Sequence, residues 1–134
     1  MLALSVKQPW AWAIFHGKGV ENRTWATRHR GPLAIHATAC SRAEYEAGAA
    51  VIAEITGTNP PSRAELPTGC VVGTVELKDC RDGTTGDDWA EDDAIWWILD
   101  KQRECRPFPH KGARGHLFPV SDNLIAKHVS RARL

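Results

Sequence analysis

The chain lacks any long apolar run. A helix that crosses a bilayer needs about 20 consecutive apolar residues, and charged residues interrupt every apolar stretch of this sequence well before that length. Lys7 and Gln8 also come too early for the N-terminus to be a secretion signal. We therefore expect a cytoplasmic protein that does not contact a membrane.

The chain also lacks paired cysteines. Many zinc and redox sites use a CxxC spacing, and small secreted domains use dense disulfide frameworks. The cysteines here are too widely separated for either pattern: Cys40, Cys70, Cys80 and Cys105. We predict reduced, structural thiols, with no metal and no cofactor.

Internal repeats and low-complexity tracts are missing too, which excludes solenoids and disordered linkers. The 134 residues, of which 43% are apolar and 25% charged, are enough to bury a core. We predict one domain over residues 1–134.

The net charge of +1 hides a strong segregation of charge. Residues 1–36 carry +4, residues 37–99 carry −8 and residues 100–134 carry +5. If the two basic segments fold together, they create a basic face that suits a polyanion. Alternatively, the acidic segment simply neutralises the basic ones in the folded protein.

Local patterns predict short strands and two or three helices. Strands are predicted at Leu2–Val6, Leu33–Ala37, Cys70–Leu77, Ala94–Asp100 and Arg114–Val120. Helices are predicted at Pro9–His16, Ser41–Ile55 and Ser121–His128. Loops or turns are predicted at Thr58–Gly69, Arg81–Asp93 and Pro107–Gly112. Because these elements follow no βαβ rhythm, they favour an α+β fold with a small barrel-like sheet.

Two details sharpen this pattern. Ser41 and Glu44 form a capping box at the start of the second helix, and Gly57 ends it. Gly73, inside a predicted strand, indicates a bulge or a close approach of a neighbouring segment.

The segment Gly17–Trp25 concentrates chemically useful side chains. If the chain extends from Val20, the period of two places Glu21, Arg23 and Trp25 on one face of a strand. With Lys18 on the preceding bend, this face suits an anionic, aromatic ligand. The alternative is a solvated surface with a weak salt bridge.

Three stretches in the first 37 residues form a distinctive set: Lys7-Gln8-Pro9-Trp10-Ala11, then Lys18-x-x-Glu21-x-Arg23 with Thr24-Trp25, then Arg30-Gly31-Pro32-Leu33-Ala34-Ile35-His36-Ala37. This set resembles a known family, the ASCH domain. The stretch Pro107–Gly112, followed by Gly115-His116-Leu117-Phe118, is similar to the C-terminal part of that family.

The resemblance implies a small PUA-like β-barrel with flanking helices, and a cleft between helix and barrel that binds RNA, a nucleoside or a nucleotide. Some family members are ribonucleases, or amidohydrolases that act on acylated cytidine. The fold alone does not choose among these activities.

Binding candidates follow from side-chain chemistry. Gln8 can read a base edge, Trp10 or Trp25 can stack on a base, and Arg23 and Arg30 can hold phosphate. These assignments compete with structural roles: Trp10 has the helical spacing of a core residue, and His36, on an apolar strand, is more typical of a satisfied core histidine. Lys111 resembles a lysine that the family places beside the cleft.

Catalytic candidates are fewer. A partly desolvated Lys18 can act as a base or nucleophile with Glu21 beside it, and Glu76 resembles the strand glutamate of the amidohydrolase members. Those members carry a hydroxyl residue three positions after the lysine, where this chain has Glu21.

We therefore predict an RNA- or nucleotide-binding domain first, and a hydrolase that uses Lys18 with Glu21 and Glu76 second. A protein-interaction module that uses the acidic segment 76–93 ranks third.

Overall fold

The computed structural model describes residues 1–82 and 87–132. In chain order the elements of these ranges are β1 (Leu2–Lys7), α1 (Trp10–Ile14), β2 (Val20–Arg23), β3 (Gly31–Thr38), α2 (Arg42–Thr56), β4 (Cys70–Arg81), β5 (Ile95–Pro109), β6 (Phe118–Pro119) and α3 (Asp122–Ala132). Within the same ranges no helix is both long and apolar enough to span a membrane.

A six-stranded sheet with the order β2-β5-β4-β3-β1-β6 forms the body of the domain. β1 and β3 run parallel, and the other neighbouring strands are antiparallel. β6 pairs only with Leu2 and Ala3 at the start of β1. The far end of β1, from Ser5 to Lys7, therefore has no strand on its outer side in the described structure.

The sheet curls until its two ends approach each other. β2 and β1 are four positions apart in the strand order, which would separate them by about 19 Å in a flat sheet. Arg23 of β2 nevertheless donates from Nη1 to the backbone oxygen of Ser5 in β1, at 3.3 Å. The strands do not close into a continuous ladder within the described residues. The predicted α+β class is confirmed, with the barrel-like sheet left open along one seam.

Side chains of the central strands alternate between the two faces of the sheet, and each face is covered by its own hydrophobic core. One core includes Leu4 and Trp97 and is covered by Ile14 of α1. A second core includes Phe108 and is covered by Ile125 of α3. The helices α1 and α3 thus anchor the sheet from different sides.

α2 begins and ends where the sequence predicts. Ser41 Oγ accepts the backbone N–H of Glu44 at 3.1 Å, the reciprocal bond of the capping box is present, and Gly57 takes the left-handed conformation with φ 76°. α1 is shorter than predicted, because Pro9 is its N-cap and the helix ends at Ile14.

The bulge and the close approach predicted at Gly73 are both confirmed. The register between β4 and β5 shifts between Val71 and Gly73. A Cβ at Gly73 would lie 2.5 Å from the ring of Phe15 and 2.6 Å from the carbonyl oxygen of Arg103. Glycine is needed here because α1 and β5 both approach the strand backbone.

β5 is longer than predicted. The sequence pattern indicated a strand at Ala94–Asp100 and a turn from Pro107, whereas β5 runs from Ile95 to Pro109. Its second half is mostly polar and exposed, so it shows no apolar alternation. Pairing with β4 holds it extended, up to Pro109 opposite Cys70. Tertiary pairing overrides the local turn signal here.

The C-terminal region also differs from the prediction. The predicted strand Arg114–Val120 is reduced to Phe118–Pro119, and α3 continues beyond His128 to Ala132. Residues 114–117 instead belong to a loop. In the predicted loop Arg81–Asp93, Arg81 ends β4, and residues 83–86 lie outside the described residues.

Candidate functional site

The turn between α1 and β2 places three charged side chains together. Gly17 adopts φ 110°, and the backbone N–H of Lys18 returns to the carbonyl oxygen of Ala13 at 3.0 Å. This bend turns Lys18 inward, while β2 presents Glu21 and Arg23 from the same side of the strand. The extension of the chain from Val20 is as predicted.

Glu21 joins the two cations. Lys18 Nζ lies 2.8 Å from Glu21 Oε1, and Arg23 Nη1 lies 3.2 Å from Glu21 Oε2. Lys18 is 2% and Glu21 5% exposed, whereas Arg23 is half-buried. Charges removed from water need close partners. Each of the two buried charges, on Lys18 and Glu21, has such a partner in the other. The alternative prediction, a solvated surface salt bridge, therefore does not apply to Lys18 and Glu21.

The indole of Trp10 forms the next part of the site. Lys18 Nζ lies 5.4 Å from the ring centroid, within the range of a cation–π interaction. Trp10 is half-buried and packs against the core that includes Leu4 and Trp97. It thus combines a core contact with an accessible edge.

A cleft of about 650 Å³ opens at the seam of the sheet. Among its lining residues are Ser5, Trp10, Glu21, Arg23, His36 and Arg114. A smaller cavity of about 130 Å³ shares Trp10 and Glu21 with the cleft and also reaches Lys18, Asp88 and Trp89. The volume of the cleft is that of a small-molecule site, but the cleft is open to solvent on one side.

Arg114 is one of the cleft residues that sequence reasoning missed; Ser5 and Lys7 are others. It is exposed, lies on the loop that follows β5, and has no ion-pair partner among the described residues. Lys111, the predicted cation of this loop, is exposed and does not line the cleft. The basic C-terminal segment was a signal for a cation here, but it does not distinguish the two positions.

Gln8 and Arg30 are engaged elsewhere. Gln8 is 4% exposed; its Oε1 accepts the backbone N–H of Trp12 at 2.9 Å, and its Nε2 donates to the carbonyl oxygen of Pro67 at 3.0 Å. The guanidinium of Arg30 donates to backbone oxygens of its own loop and lies 3.4 Å from Asp79. The structure brings neither side chain into the cleft.

Trp25 and Glu76 line other grooves. Trp25 packs edge-on against Trp97, with ring centroids 4.9 Å apart, and borders a groove next to Arg23. Glu76 borders a separate groove with Lys101. The predicted catalytic set is therefore divided: Lys18 and Glu21 are together, and Glu76 is not with them.

His36 is a buried, hydrogen-bonded histidine at the wall of the cleft. It is 2% exposed, with Nδ1 3.1 Å from Ser5 Oγ and Nε2 2.6 Å from the carbonyl oxygen of His110. Burial lowers the pKa of His36 below its ordinary value of 6.5, so the neutral ring is favoured. Its two ring nitrogens are satisfied, as expected for a core histidine.

The cysteines do not gather into a site. The four thiols are free, and burial raises the pKa of Cys105 to about 11. Among the residues that the structure describes, no three His, Cys, Asp or Glu side chains are grouped as metal ligands.

Comparison with known proteins identifies the family. Residues 4–116 match the family model of the ASCH domain. The chain belongs to the ASCH domain family. The resemblance based on the Lys18–Arg23 motif is thereby confirmed.

Relatives of this ASCH domain include two large proteins. It is 41% identical over 80 residues to activating signal cointegrator 1 of Homo sapiens and 39% identical over 80 residues to the Mus musculus protein. Each match covers 58% of this chain and 14% of the relative.

A solved structure supports the fold. The crystal structure of a point mutant of the ASCH protein from Zymomonas mobilis is similar, with a TM-score of 0.55 and 14% identity, over 94% of each chain. This similarity concerns the fold alone.

Proposed function

We propose that this ASCH domain binds single-stranded RNA, with one nucleotide in the cleft at the seam of the sheet. The observation that carries the proposal is the composition of the cleft. Three cations, Lys7, Arg23 and Arg114, line the cleft with one carboxylate, Glu21, beside the indole of Trp10. Lys18 lines the adjoining smaller cavity. Net positive charge with an aromatic surface suits a phosphate and a base.

The shape of the cleft favours a polymer over a free nucleoside. It lies along the uncovered part of β1 and is open to solvent on one side, so a chain can enter and leave it. A site for a small metabolite buries most of its ligand. An open cleft instead leaves the phosphates on either side of the bound nucleotide in solvent.

The cations have different roles in this arrangement. Lys18 is buried and paired with Glu21, so it belongs to the wall of the site. Arg114 is exposed and, within the described residues, has no carboxylate partner, so it is available to a phosphate. Arg23 uses Nη1 for Glu21 and for the Ser5 backbone, and the rest of its planar group can reach the ligand.

Fluorescence anisotropy with a labelled single-stranded RNA at several salt concentrations tests the proposal. Affinity should fall with salt, and Arg114→Ala should reduce the salt slope by about one unit. Arg42→Ala is a matched control, because Arg42 is exposed at the start of α2. Arg30→Ala should also leave the slope unchanged, since its guanidinium is held near Asp79. Absence of binding at low salt would refute the proposal.

A hydrolase is a second candidate because the Lys18 amine lies 2.8 Å from the Glu21 carboxylate, and both side chains line the smaller cavity. An amine and a carboxylate in this arrangement can exchange a proton during hydrolysis. The substrates to test are acylated cytidine and RNA, with product formation followed by chromatography. Lys18→Arg should abolish turnover, whereas Glu76→Gln should not, because Glu76 borders a separate groove.

A further inference from the structure

A chain of hydrogen bonds at the wall of the cleft joins two strands to the loop that follows β5. Ser5 Oγ lies 3.1 Å from His36 Nδ1, and His36 Nε2 lies 2.6 Å from the carbonyl oxygen of His110. The backbone N–H of Ala113 donates to Ser5 Oγ at 3.3 Å. Two strand side chains therefore contact the loop at both His110 and Ala113.

The donors and acceptors of this chain are determined by chemistry. A carbonyl oxygen can only accept, so His36 Nε2 carries the hydrogen. In the neutral ring Nδ1 is then an acceptor, and the hydroxyl of Ser5 donates to it. The desolvation that lowers the pKa of His36 favours this neutral ring. Each group therefore has a defined partner.

Gly112 lies directly on the Ser5–His36 pair. A Cβ at Gly112 would be 2.5 Å from His36 Cε1 and 2.6 Å from Ser5 Oγ. Since contacts this short do not occur, any side chain at position 112 would displace the loop. The same crowding, with the bond from Ala113, leaves the Ser5 oxygen poorly placed to attack a substrate, so a positioning role fits better than a nucleophilic one.

The loop needs such an anchor. Arg114 stands between Ala113 and Gly115, and Gly115 adopts φ 73°. Glycine-containing backbone has little conformational preference of its own. Contacts from outside the loop must therefore determine where Arg114 lies.

We propose that Ser5 and His36 are positioning residues that clamp residues 110–115 against β1 and so place Arg114 at the cleft. The clamp itself is independent of what the cleft binds. Its effect on RNA affinity rests on the function proposed above.

Limited proteolysis with trypsin tests the clamp directly. Trypsin can cleave after Lys111 and Arg114, and both are exposed. Ser5→Ala should speed up cleavage at these two sites about fivefold, as expected when one hydrogen bond is lost. Cleavage after the exposed Arg42 and Arg63 should not change, and mass spectrometry distinguishes the sites in one digest.

Gly112→Ala disrupts the clamp from the loop and leaves Ser5 and His36 unchanged. It should produce the same site-specific increase. Thr74→Val is a matched control, because it removes a half-buried hydroxyl from β4, away from the loop. Unchanged cleavage after Lys111 and Arg114 in both variants would overturn the clamp. An equal increase at Arg42 would also overturn it, because this would indicate general destabilisation.

RNA affinity tests the second step. Ser5→Ala should weaken RNA binding, but by no more than Arg114→Ala does, and the double variant should be no weaker than Arg114→Ala alone. Fully additive losses would show that Ser5 does not act through Arg114. If the unmodified domain does not bind RNA, the proposed function fails, and the tryptic pattern still decides whether the clamp exists.

Discussion

Loss of the Glu21 carboxylate should destabilise this domain strongly. Lys18 and Glu21 are 2% and 5% exposed and are joined at 2.8 Å. Arg23 reaches the other oxygen of the same carboxylate at 3.2 Å. Glu21→Gln keeps the size of the side chain but leaves the ammonium of Lys18 buried without a counter-charge.

The magnitude follows from burial. Removal of one partner of a buried ion pair costs about 3–5 kcal/mol in the free energy of unfolding. For a domain of this size, each kcal/mol corresponds to about 4 °C in Tm, so we expect a loss of about 12–20 °C. Lys18→Met should cost less, because Glu21 then keeps the partly buried Arg23 as its partner.

Urea unfolding followed by tryptophan fluorescence measures these free energies. Lys7→Met is a matched control: it removes an ion pair of the same length, 2.8 Å to Glu44, in which both side chains are about half exposed. Such a surface pair contributes about 0–1 kcal/mol. The double variant Lys18→Met with Glu21→Gln should be more stable than Glu21→Gln alone.

A cost of Glu21→Gln no larger than that of Lys7→Met would show that burial does not strengthen the Lys18–Glu21 pair. A double variant less stable than Glu21→Gln would show that the uncompensated ammonium of Lys18 is not the cause of the loss.

Three further predictions concern other parts of the molecule. Burial lowers the pKa of His36 below 6.5, so just below pH 6.5 the unfolded chain binds more protons than the folded chain. The urea midpoint of unfolding should therefore fall as the pH drops below 6.5, and it should fall less in His36→Gln. Cys105, whose pKa burial raises to about 11, should resist iodoacetamide in the folded protein and react in urea, as mass spectrometry would show; rapid native labelling would contradict its burial. Gly73→Ala should lower the free energy of unfolding by about 1–3 kcal/mol, because its Cβ would collide with Phe15. Gly19→Ala should be nearly neutral in the same urea titration, because its Cβ would meet nothing closer than 3.9 Å.

Local sequence determined the features that depend on a few neighbouring residues. α2 was predictable because its capping box and its left-handed Gly57 lie within the helix itself and one residue on either side. The grouping of Lys18, Glu21 and Arg23 was predictable because one bend and a period of two suffice to bring them together. The family was predictable for the same reason, since each of its motifs is a short continuous stretch of the chain.

Tertiary structure decided the rest of the cleft. Arg114 lines the same cleft as Arg23 because the sheet curls and because β6 leaves part of β1 uncovered. Gln8 donates to the carbonyl oxygen of Pro67, which lies 59 residues further along the chain, and Arg30 lies near Asp79 of β4. Glu76 was separated from Lys18 by the order of the strands. These outcomes depend on contacts between residues far apart in sequence, which no local pattern encodes.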